Sequence, residues 1–108
     1  MPFQVLLTDH AARDLEELYD YVTLHDAPGK ADRLLDQIEE LFASLSKSPN
    51  RGVYPKELSA LGIRDYREVF FKPYRIIYKV IDKTVYVLLI ADGRRDMQSL
   101  LQQRLLEN

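Results

Sequence analysis

The apolar residues of this chain follow two different periods, one in each half. From residue 11 to 22, and again from about 30 to 45, apolar side chains recur every three or four positions. This spacing places them on one side of an α-helix, so it predicts two amphipathic helices. The segment 25–29, which contains Pro28 and Gly29, separates the two helices and favours an antiparallel helical hairpin.

Beyond a connection rich in proline, glycine and serine, the apolar period changes to two, which is typical of β-strands. The last of the resulting strands is apolar on both faces, which indicates a central position in a sheet. A short alternating stretch at the N-terminus predicts one further strand. The predicted strands are 3–7, 66–71, 74–81 and 84–91, and the turns between the last three are 72–73 and 82–83.

A last amphipathic helix is predicted after Asp96, which can serve as its N-cap. The simplest interpretation of its apolar stripe is a part of the core, and the alternative is a loosely docked helix whose underlying surface a partner uses. The order β-α-α-β-β-β-α predicts an α+β fold, with a helical hairpin packed on a mainly antiparallel four-stranded sheet. The length of 108 residues indicates a single domain, 1–108. The stripe of the last helix consists of Met97, Leu100, Leu101 and Leu105.

Composition excludes several kinds of site. The chain has no cysteine, so it can form neither a disulfide nor a thiolate metal site. Its two histidines, His10 and His25, do not have the spacing of a zinc site, and we expect neither a metal nor a cofactor. No apolar run approaches the roughly 18 residues of a membrane span. The N-terminus lacks the features of a signal peptide, so we expect a cytoplasmic protein without membrane contact.

The net charge of −2 hides a division of charge along the chain. Residues 1–48 carry four basic and ten acidic residues, a net charge of −6. Residues 49–108 carry eleven basic and seven acidic residues, a net charge of +4. A basic half favours contact with an acidic partner or a phosphate backbone. The alternative is an ordinary solvated surface with internal ion pairs.

Two motifs in the second half carry a family resemblance. The sequence PYRIIYKV at 73–80 is followed, after the strand at 84–90, by GRRD at 93–96. Together with the element order and the connection at 49–52, these motifs resemble the RelE/ParE family, the toxins of bacterial type II toxin–antitoxin pairs. The resemblance covers nearly the whole chain.

The resemblance implies an antitoxin partner and one of two activities. RelE-like toxins cut mRNA on the ribosome, whereas ParE-like toxins bind DNA gyrase, block it and leave broken DNA without being enzymes. The antitoxin is implied to be a small neighbouring protein, whose tail usually wraps the toxin as a helix in a groove and adds a strand to the sheet. A third alternative is a family member that has lost toxicity and acts as a binding module.

RNA cleavage by the 2′-hydroxyl needs a proton acceptor, cationic groups that stabilise the phosphorane, and a proton donor for the leaving oxygen. By the resemblance, Arg67, Arg75 and Arg95 align with basic residues of the RelE-like nucleases, and arginine suits phosphate oxygens. At the positions where those nucleases carry proton-transfer groups, this chain has Val69 and Leu101. The nuclease set is incomplete, so we favour the ParE-like activity over the ribonuclease.

For a gyrase inhibitor, the predicted target-binding residues are Tyr74, Arg75, Arg94 and Arg95. The apolar stripe of the last helix is the predicted antitoxin-binding surface. A competing interpretation gives Arg75 a purely structural ion pair with Asp92 or Glu68.

The alternation of side chains along the strands predicts which of these residues share a face. With a two-residue turn at 82–83, Arg75 faces the same side as Ile90 and Asp92. A two-residue loop at 72–73 would place Arg67 on the opposite face from Arg75, and a three-residue loop would place them together. Proline does not adopt the positive φ of a type I′ turn, which favours the longer loop, but the sequence leaves both open.

Overall fold

The computed structural model describes residues 2–106. Four strands and four helices follow one another in the predicted order, except that a single helical turn, α3, lies between the hairpin and the second strand. The elements are β1 (Gln4–Leu7), α1 (Asp9–His25), α2 (Lys30–Lys47), α3 (Lys56–Ser59), β2 (Arg67–Phe71), β3 (Tyr74–Ile81), β4 (Thr84–Asp92) and α4 (Met97–Leu101), followed by the π-helical turn Gln102–Leu106.

The four strands form one mixed sheet in the order β1-β4-β3-β2. β2, β3 and β4 are joined by antiparallel hairpins, and β1 pairs with β4 in parallel. β4 is therefore an interior strand, as its apolar sequence predicts. The predicted fold class is confirmed, because α1 and α2 form a helical hairpin that packs on a mainly antiparallel sheet.

Each face of the sheet has its own core. The face under α1 and α2, here the hairpin face, buries Ile76, Tyr78 and Val87 against Ala11 and Leu45. The opposite face is covered by α3 and α4, with Leu58, Met97 and Leu101 packed on the sheet. Helix α1 begins where the Thr8 hydroxyl accepts from Ala11 N, and α4 begins where Asp96 accepts from Ser99 N, as predicted for Asp96.

The connection between α2 and β2 is fixed by a buried tyrosine on the hairpin face. The Tyr78 hydroxyl donates to the Pro49 carbonyl at 2.7 Å and accepts from Gly52 N at 2.9 Å. A Cβ atom at Gly52 would lie 2.5 Å from this hydroxyl, so only glycine allows the close approach. The 49–52 segment is thereby attached to the centre of the sheet.

A β-bulge interrupts the pairing of β3 with β4. Tyr78 pairs with Val87, but the preceding residue of β3, Ile77, pairs with Leu89, so Leu88 has no partner on β3. An extra residue reverses the face on which the following side chains lie. Leu89 accordingly belongs to the opposite core, whereas Val87 belongs to the hairpin-face core.

The bulge overturns one sequence-based prediction. Arg75 pairs with Ala91, and it is Tyr74 that pairs with Asp92. The prediction that Arg75 shares a face with Ile90 and Asp92 is therefore wrong, because it assumed an uninterrupted ladder from the turn at 82–83.

The turn between β2 and β3 decides the question that the sequence left open. Phe71 pairs with Tyr74, so the loop contains only Lys72 and Pro73, joined by a cis peptide bond. The longer loop that proline favoured is not formed. With this register, Arg67 and Arg75 lie on opposite faces of the sheet.

Two charged side chains bind backbone groups of β4 at the bulge and just beyond it. Arg104 Nη1 donates to the Leu88 carbonyl at 2.9 Å, and Ile90 N donates to Asp14 Oδ2 at 3.0 Å. Arg104 and Asp14 also pair with each other through two hydrogen bonds of 2.8 and 3.0 Å. This Asp14–Arg104 clamp joins α1, β4 and the C-terminal turn. Between residues 2 and 106, no helix combines the length and apolar character that crossing a bilayer requires.

Candidate functional site: a groove at the end of the sheet

Arg75 lies on the opposite face of the sheet in a buried ion cluster. Its Nε donates to Glu68 Oε1 at 2.7 Å, and its two terminal nitrogens donate to the two oxygens of Glu57 at 2.8 and 2.7 Å. Arg75 is 8% exposed and Glu68 is 4% exposed. The stem of Arg75 packs against Gly93, where a Cβ atom would come within 3.0 Å of Arg75 Cδ. All three nitrogens of the guanidinium therefore donate to carboxylates of this chain.

The two carboxylates of this cluster have opposite pKa shifts. Hydrogen bonding to Arg75 lowers the pKa of Glu57, which is bound by both guanidinium nitrogens. Burial raises the pKa of Glu68, and the ion pair with Arg75 offsets only part of that rise. The same pairs raise the pKa of Arg75, with Glu57 as the largest cause. The predicted pairing with Glu68 is observed, and the second partner, Glu57, was not predicted because it lies on the unpredicted helix α3.

Arg67 supports the connection before β2 on the other side of the sheet. Its Nη1 donates to the Gly52 carbonyl at 2.8 Å and to the Asn50 carbonyl at 3.2 Å. Its guanidinium lies over the ring of Tyr54, 4.7 Å from the centroid. These contacts hold the 50–54 loop against β2. Arg67 and Arg75, two of the three arginines that align with the nucleases, therefore bind different groups on opposite faces of the sheet.

A groove of about 960 Å³ lies on the hairpin face, where β3 begins and β4 ends beside α1 and α2. Its floor is formed by the ends of the two strands, and its walls by the flank of α1 and the first turns of α2. Tyr74, Arg94 and Arg95, three of the four predicted target-binding residues, line it. The fourth, Arg75, does not, because it points to the opposite face. The structure thus brings together three of these residues, and their role in target binding stays a prediction.

The two adjacent arginines of the groove differ in their partners. Arg94 forms a bidentate ion pair with Asp92, in which Nε donates to Oδ1 at 3.0 Å and Nη2 donates to Oδ2 at 2.6 Å. These bonds hold the pKa of Asp92 at about 2. Within residues 2–106, the side chain of Arg95 has no hydrogen-bond or salt-bridge partner. Arg95 is therefore the arginine of the GRRD motif that is available to another molecule.

Tyr74 lies on the floor of the groove and is half-buried. Its ring stacks on Phe71 with the centroids 6.5 Å apart. Burial, together with the nearby Asp92, raises the pKa of Tyr74, so the phenol stays protonated at neutral pH. Tyr74 can donate a hydrogen bond or offer its ring, but it is a poor general base.

Two further cations at the groove were not among the predicted site residues. Arg33 projects from α2 and Lys72 from the β2–β3 turn, and neither side chain has an acidic partner in the described part of the chain. Three acids of the groove, by contrast, are already paired: Asp14 with Arg104, Asp26 with Lys30 and Asp92 with Arg94. Lys72 belongs to the basic second half of the chain, which the sequence marks as a candidate binding region. The sequence gives no signal that Arg33 lies at the same groove, because its position depends on the packing of the helical hairpin on the sheet.

The predicted antitoxin-binding stripe of the last helix lies in the opposite core. Met97 is 4% exposed and Leu101 is 1% exposed, and Leu100 and Leu105 are partly buried around them. A partner would reach these side chains only by replacing the helix, so this role stays a prediction. Between residues 2 and 106, no cluster of three or more histidine, aspartate or glutamate side chains has the arrangement of a metal site.

Comparisons of sequence agree with the family resemblance. The family model of the ParE toxin of the type II toxin–antitoxin system parDE matches residues 5–97. Toxin ParE3 of Caulobacter vibrioides is 27% identical over 101 residues, which cover 94% of this chain and 97% of that protein.

Three solved structures with the same fold also match most of this chain. A chain of the chromosomal ParDE system from P. aeruginosa superposes with a TM-score of 0.69 at 25% identity, over 83% of this chain and 95% of that chain. A chain of the RelBE2 toxin–antitoxin complex from Mycobacterium tuberculosis gives 0.59 at 25% identity, over 85% and 99%. A mutant of the E. coli toxin RelE in the free state gives 0.61 at 17% identity, over 98% and 100%, which shows the fold alone.

Proposed function

This chain belongs to the ParE toxin family of type II toxin–antitoxin systems, and on that premise we propose that it inhibits DNA gyrase by binding, without catalysis, until a cognate antitoxin neutralises it. The family resemblance supplies the gyrase target, and the matched ParDE and RelBE2 structures support an antitoxin partner.

The observation that carries the choice of gyrase over mRNA is the dispersal of the three nuclease-type arginines. Stabilising a phosphorane requires cationic groups that converge on one phosphate. Arg75 is held by Glu57 and Glu68 on one face, whereas Arg67 is held by backbone carbonyls on the other. Of these three arginines, only Arg95 has a side chain without a partner in the described part of the chain, and a nuclease site needs a general base beside its cations.

The availability of Arg95 also favours an active toxin over a family member that has lost toxicity. A chain that served only as a scaffold would be expected to pair both Arg75 and Arg95 internally. Arg75 is paired in this way, but Arg95 stands at the rim of an open groove beside Tyr74. A protein target can therefore contact Arg95 and Tyr74 together.

A pulse-labelling experiment tests the proposal. The chain is expressed from an inducible promoter without antitoxin, and incorporation of thymidine and amino acids is followed over the first minutes. We expect DNA synthesis to stop first while translation continues. An early stop in translation would contradict the gyrase proposal and favour a ribosomal nuclease.

A matched pair of variants ties the effect to the groove. Arg95→Ala is expected to abolish growth arrest with the fold intact. Arg13→Ala, which changes another exposed arginine, on α1 and outside the groove, is expected to leave arrest unchanged. Full arrest by a folded Arg95→Ala variant would remove Arg95 from the target-binding surface.

A further inference from the structure

Helices α3 and α4 cover only part of the opposite face of the sheet. The core beneath them contains Ile77 and Leu89. Towards the β3–β4 turn this face is more open, and Leu6 and Ile81 are 39% and 46% exposed there. A row of neighbouring side chains crosses the sheet in this open part. This row, here the tyrosine row, consists of Leu6 on β1, Tyr86 on β4, Lys79 on β3 and Tyr66 just before β2.

A second cavity, of about 220 Å³, lies between the tyrosine row and the C-terminal turn. Leu88 and Leu105 form its apolar lining, and none of its seven lining residues is acidic. It shares no lining residue with the groove on the hairpin face. Its other lining side chains can all donate a hydrogen bond, and they are Thr8, His10, Tyr66, Lys79 and Arg104.

The chain itself uses these donors only in part. The bonds of Arg104 to Asp14 and to the Leu88 carbonyl involve Nη1 and Nη2 and leave Nε unused. The Thr8 oxygen accepts from Ala11 N, a bond that does not use the hydroxyl hydrogen. Lys79 Nζ lies 5.4 Å from the centroid of the Tyr66 ring, and it has no acidic partner between residues 2 and 106.

The charges and the size of the cavity favour a phosphate group. Asp14 pairs with Arg104, so Lys79 supplies the positive charge that no carboxylate compensates in the described part of the chain. Asp9 and Asp65 are exposed and do not line the cavity. Several donors around one such cation suit phosphate oxygens, which accept hydrogen bonds. The volume lies below the roughly 300–1,000 Å³ of sites for larger ligands, so the remainder of a nucleotide would lie outside the cavity.

The tyrosine row offers a flat surface for that remainder. Tyr86 lies directly opposite both Lys79 and Leu6 in the sheet. Neighbouring strands are about 4.8 Å apart, so one ligand can reach Lys79 and the ring of Tyr86 together. Aromatic side chains on a sheet face bind nucleic-acid bases by stacking, beside cations that bind the phosphates. A ring next to a phosphate-binding cavity therefore matches the two parts of a nucleotide.

We propose that this cavity binds the phosphate group of a nucleotide, either free or within a single strand, and that the base stacks on Tyr86. Lys79 pairs with the phosphate, and Thr8 and Arg104 donate to its oxygens. In a single strand, the neighbouring nucleotide would lie over Leu6. The site is on the face of the sheet opposite the groove, so the inference goes beyond gyrase inhibition and does not depend on it.

Titration of the purified, ¹⁵N-labelled full chain with three probes tests the ligand. The probes are inorganic phosphate, thymidine monophosphate and a single-stranded oligothymidylate of about eight nucleotides. Thymidine monophosphate is expected to shift the amide signals of Lys79 and Tyr86. Binding of the oligothymidylate at least about tenfold tighter supports a single strand as the source, and similar binding supports a free nucleotide. Inorganic phosphate binding as tightly as the mononucleotide would overturn the nucleotide, and no shift with any probe up to about 10 mM would overturn the site.

Removing the uncompensated cation tests the position of the phosphate. Lys79→Met is expected to weaken nucleotide binding at least about tenfold, and to lower the salt dependence of oligothymidylate binding by about one ion. Lys47→Met changes an exposed lysine outside the cavity and should bind within about twofold. Thermal unfolding of both variants is compared first, because Lys79 contacts the Tyr66 ring. Unchanged binding by a folded Lys79→Met variant would overturn the proposal.

Replacing the tyrosine tests the stacking separately. Tyr86→Leu keeps an apolar side chain on the sheet, and it is expected to weaken binding of the nucleotide at least about fivefold while binding of inorganic phosphate stays the same. Tyr21→Leu changes an exposed tyrosine of α1 and should alter neither affinity. Unchanged nucleotide binding by a folded Tyr86→Leu variant would overturn the placement of the base.

Discussion

Arg75 and Arg95 were both predicted as target contacts, yet they occupy opposite environments. Arg75 is buried on one face with two carboxylates around it. Arg95 is exposed at the groove on the other face, and its side chain has no hydrogen-bond or salt-bridge partner among residues 2–106. The bulge at Leu88 contributes to this separation, because it places Asp92, the residue before the GRRD motif, on the face of the sheet opposite Arg75. An arginine that resembles a family's functional residue therefore becomes a candidate only once its partners are known.

Removing the buried arginine should have the largest effect on stability. Arg75→Met leaves Glu57 and Glu68 without their cation, and breaking one side of a buried ion cluster costs about 3–5 kcal/mol of unfolding free energy. Urea unfolding of the variant and the wild type measures the loss. The triple variant with Glu57→Gln and Glu68→Gln should recover part of it, since no unpaired charge remains. A loss below about 1 kcal/mol would mean that Arg75 is not structurally required.

Breaking the Asp14–Arg104 clamp should cause the second largest loss of unfolding free energy. Its side chains are only 14% and 16% exposed, and Arg104→Gln removes bonds to both Asp14 and the Leu88 carbonyl. We expect a loss of about 1–3 kcal/mol. A double-mutant cycle with Asp14→Asn should show a clear coupling, whereas the equivalent cycle on the exposed Arg94–Asp92 pair should show almost none. Equal coupling in the two pairs would contradict the distinction between clamp and surface pair.

The Asp92–Arg94 pair should stabilise the fold at neutral pH by an amount that is lost in acid. The folded pKa of Asp92 is about 2, below the unfolded value of about 3.9. The carboxylate therefore stabilises the fold above about pH 4, and this contribution is lost as the pH falls from about 4 towards 2. Because the Arg94 side chain is 81% exposed, the contribution is small. In thermal unfolding across this range, Asp92→Asn should show a flatter pH profile than the wild type, and parallel profiles would contradict the lowered pKa.

Removing the exposed arginine should have the smallest effect on stability. Arg95→Ala breaks no side-chain bond in the described part of the chain, so unfolding free energy should change by no more than about 0.5 kcal/mol. Circular dichroism and urea unfolding check this directly. A large loss of unfolding free energy would show that Arg95, like Arg75, is required for stability, and would contradict the distinction between the two arginines.

Apart from the single helical turn α3, the sequence was sufficient for the element order, because helix and strand periods differ and the N-cap at Asp96 is a local signal. It also identified β4 as an interior strand. It was insufficient for the register beyond Leu88, since a bulge depends on contacts that residues distant in the chain supply, here Asp14 and Arg104. The same limit applies to the site: Glu57 and Arg33 reach their positions only through the packing of α3 and the helical hairpin.

The most direct test of the central claim is a supercoiling assay with purified gyrase and purified toxin. The proposed function predicts that the wild-type chain inhibits supercoiling, and that Arg95→Ala does so far less while Arg13→Ala retains full inhibition. Addition of the co-purified antitoxin should restore gyrase activity. Unaffected gyrase, together with mRNA cleavage when the same toxin is added to translating ribosomes, would contradict the account.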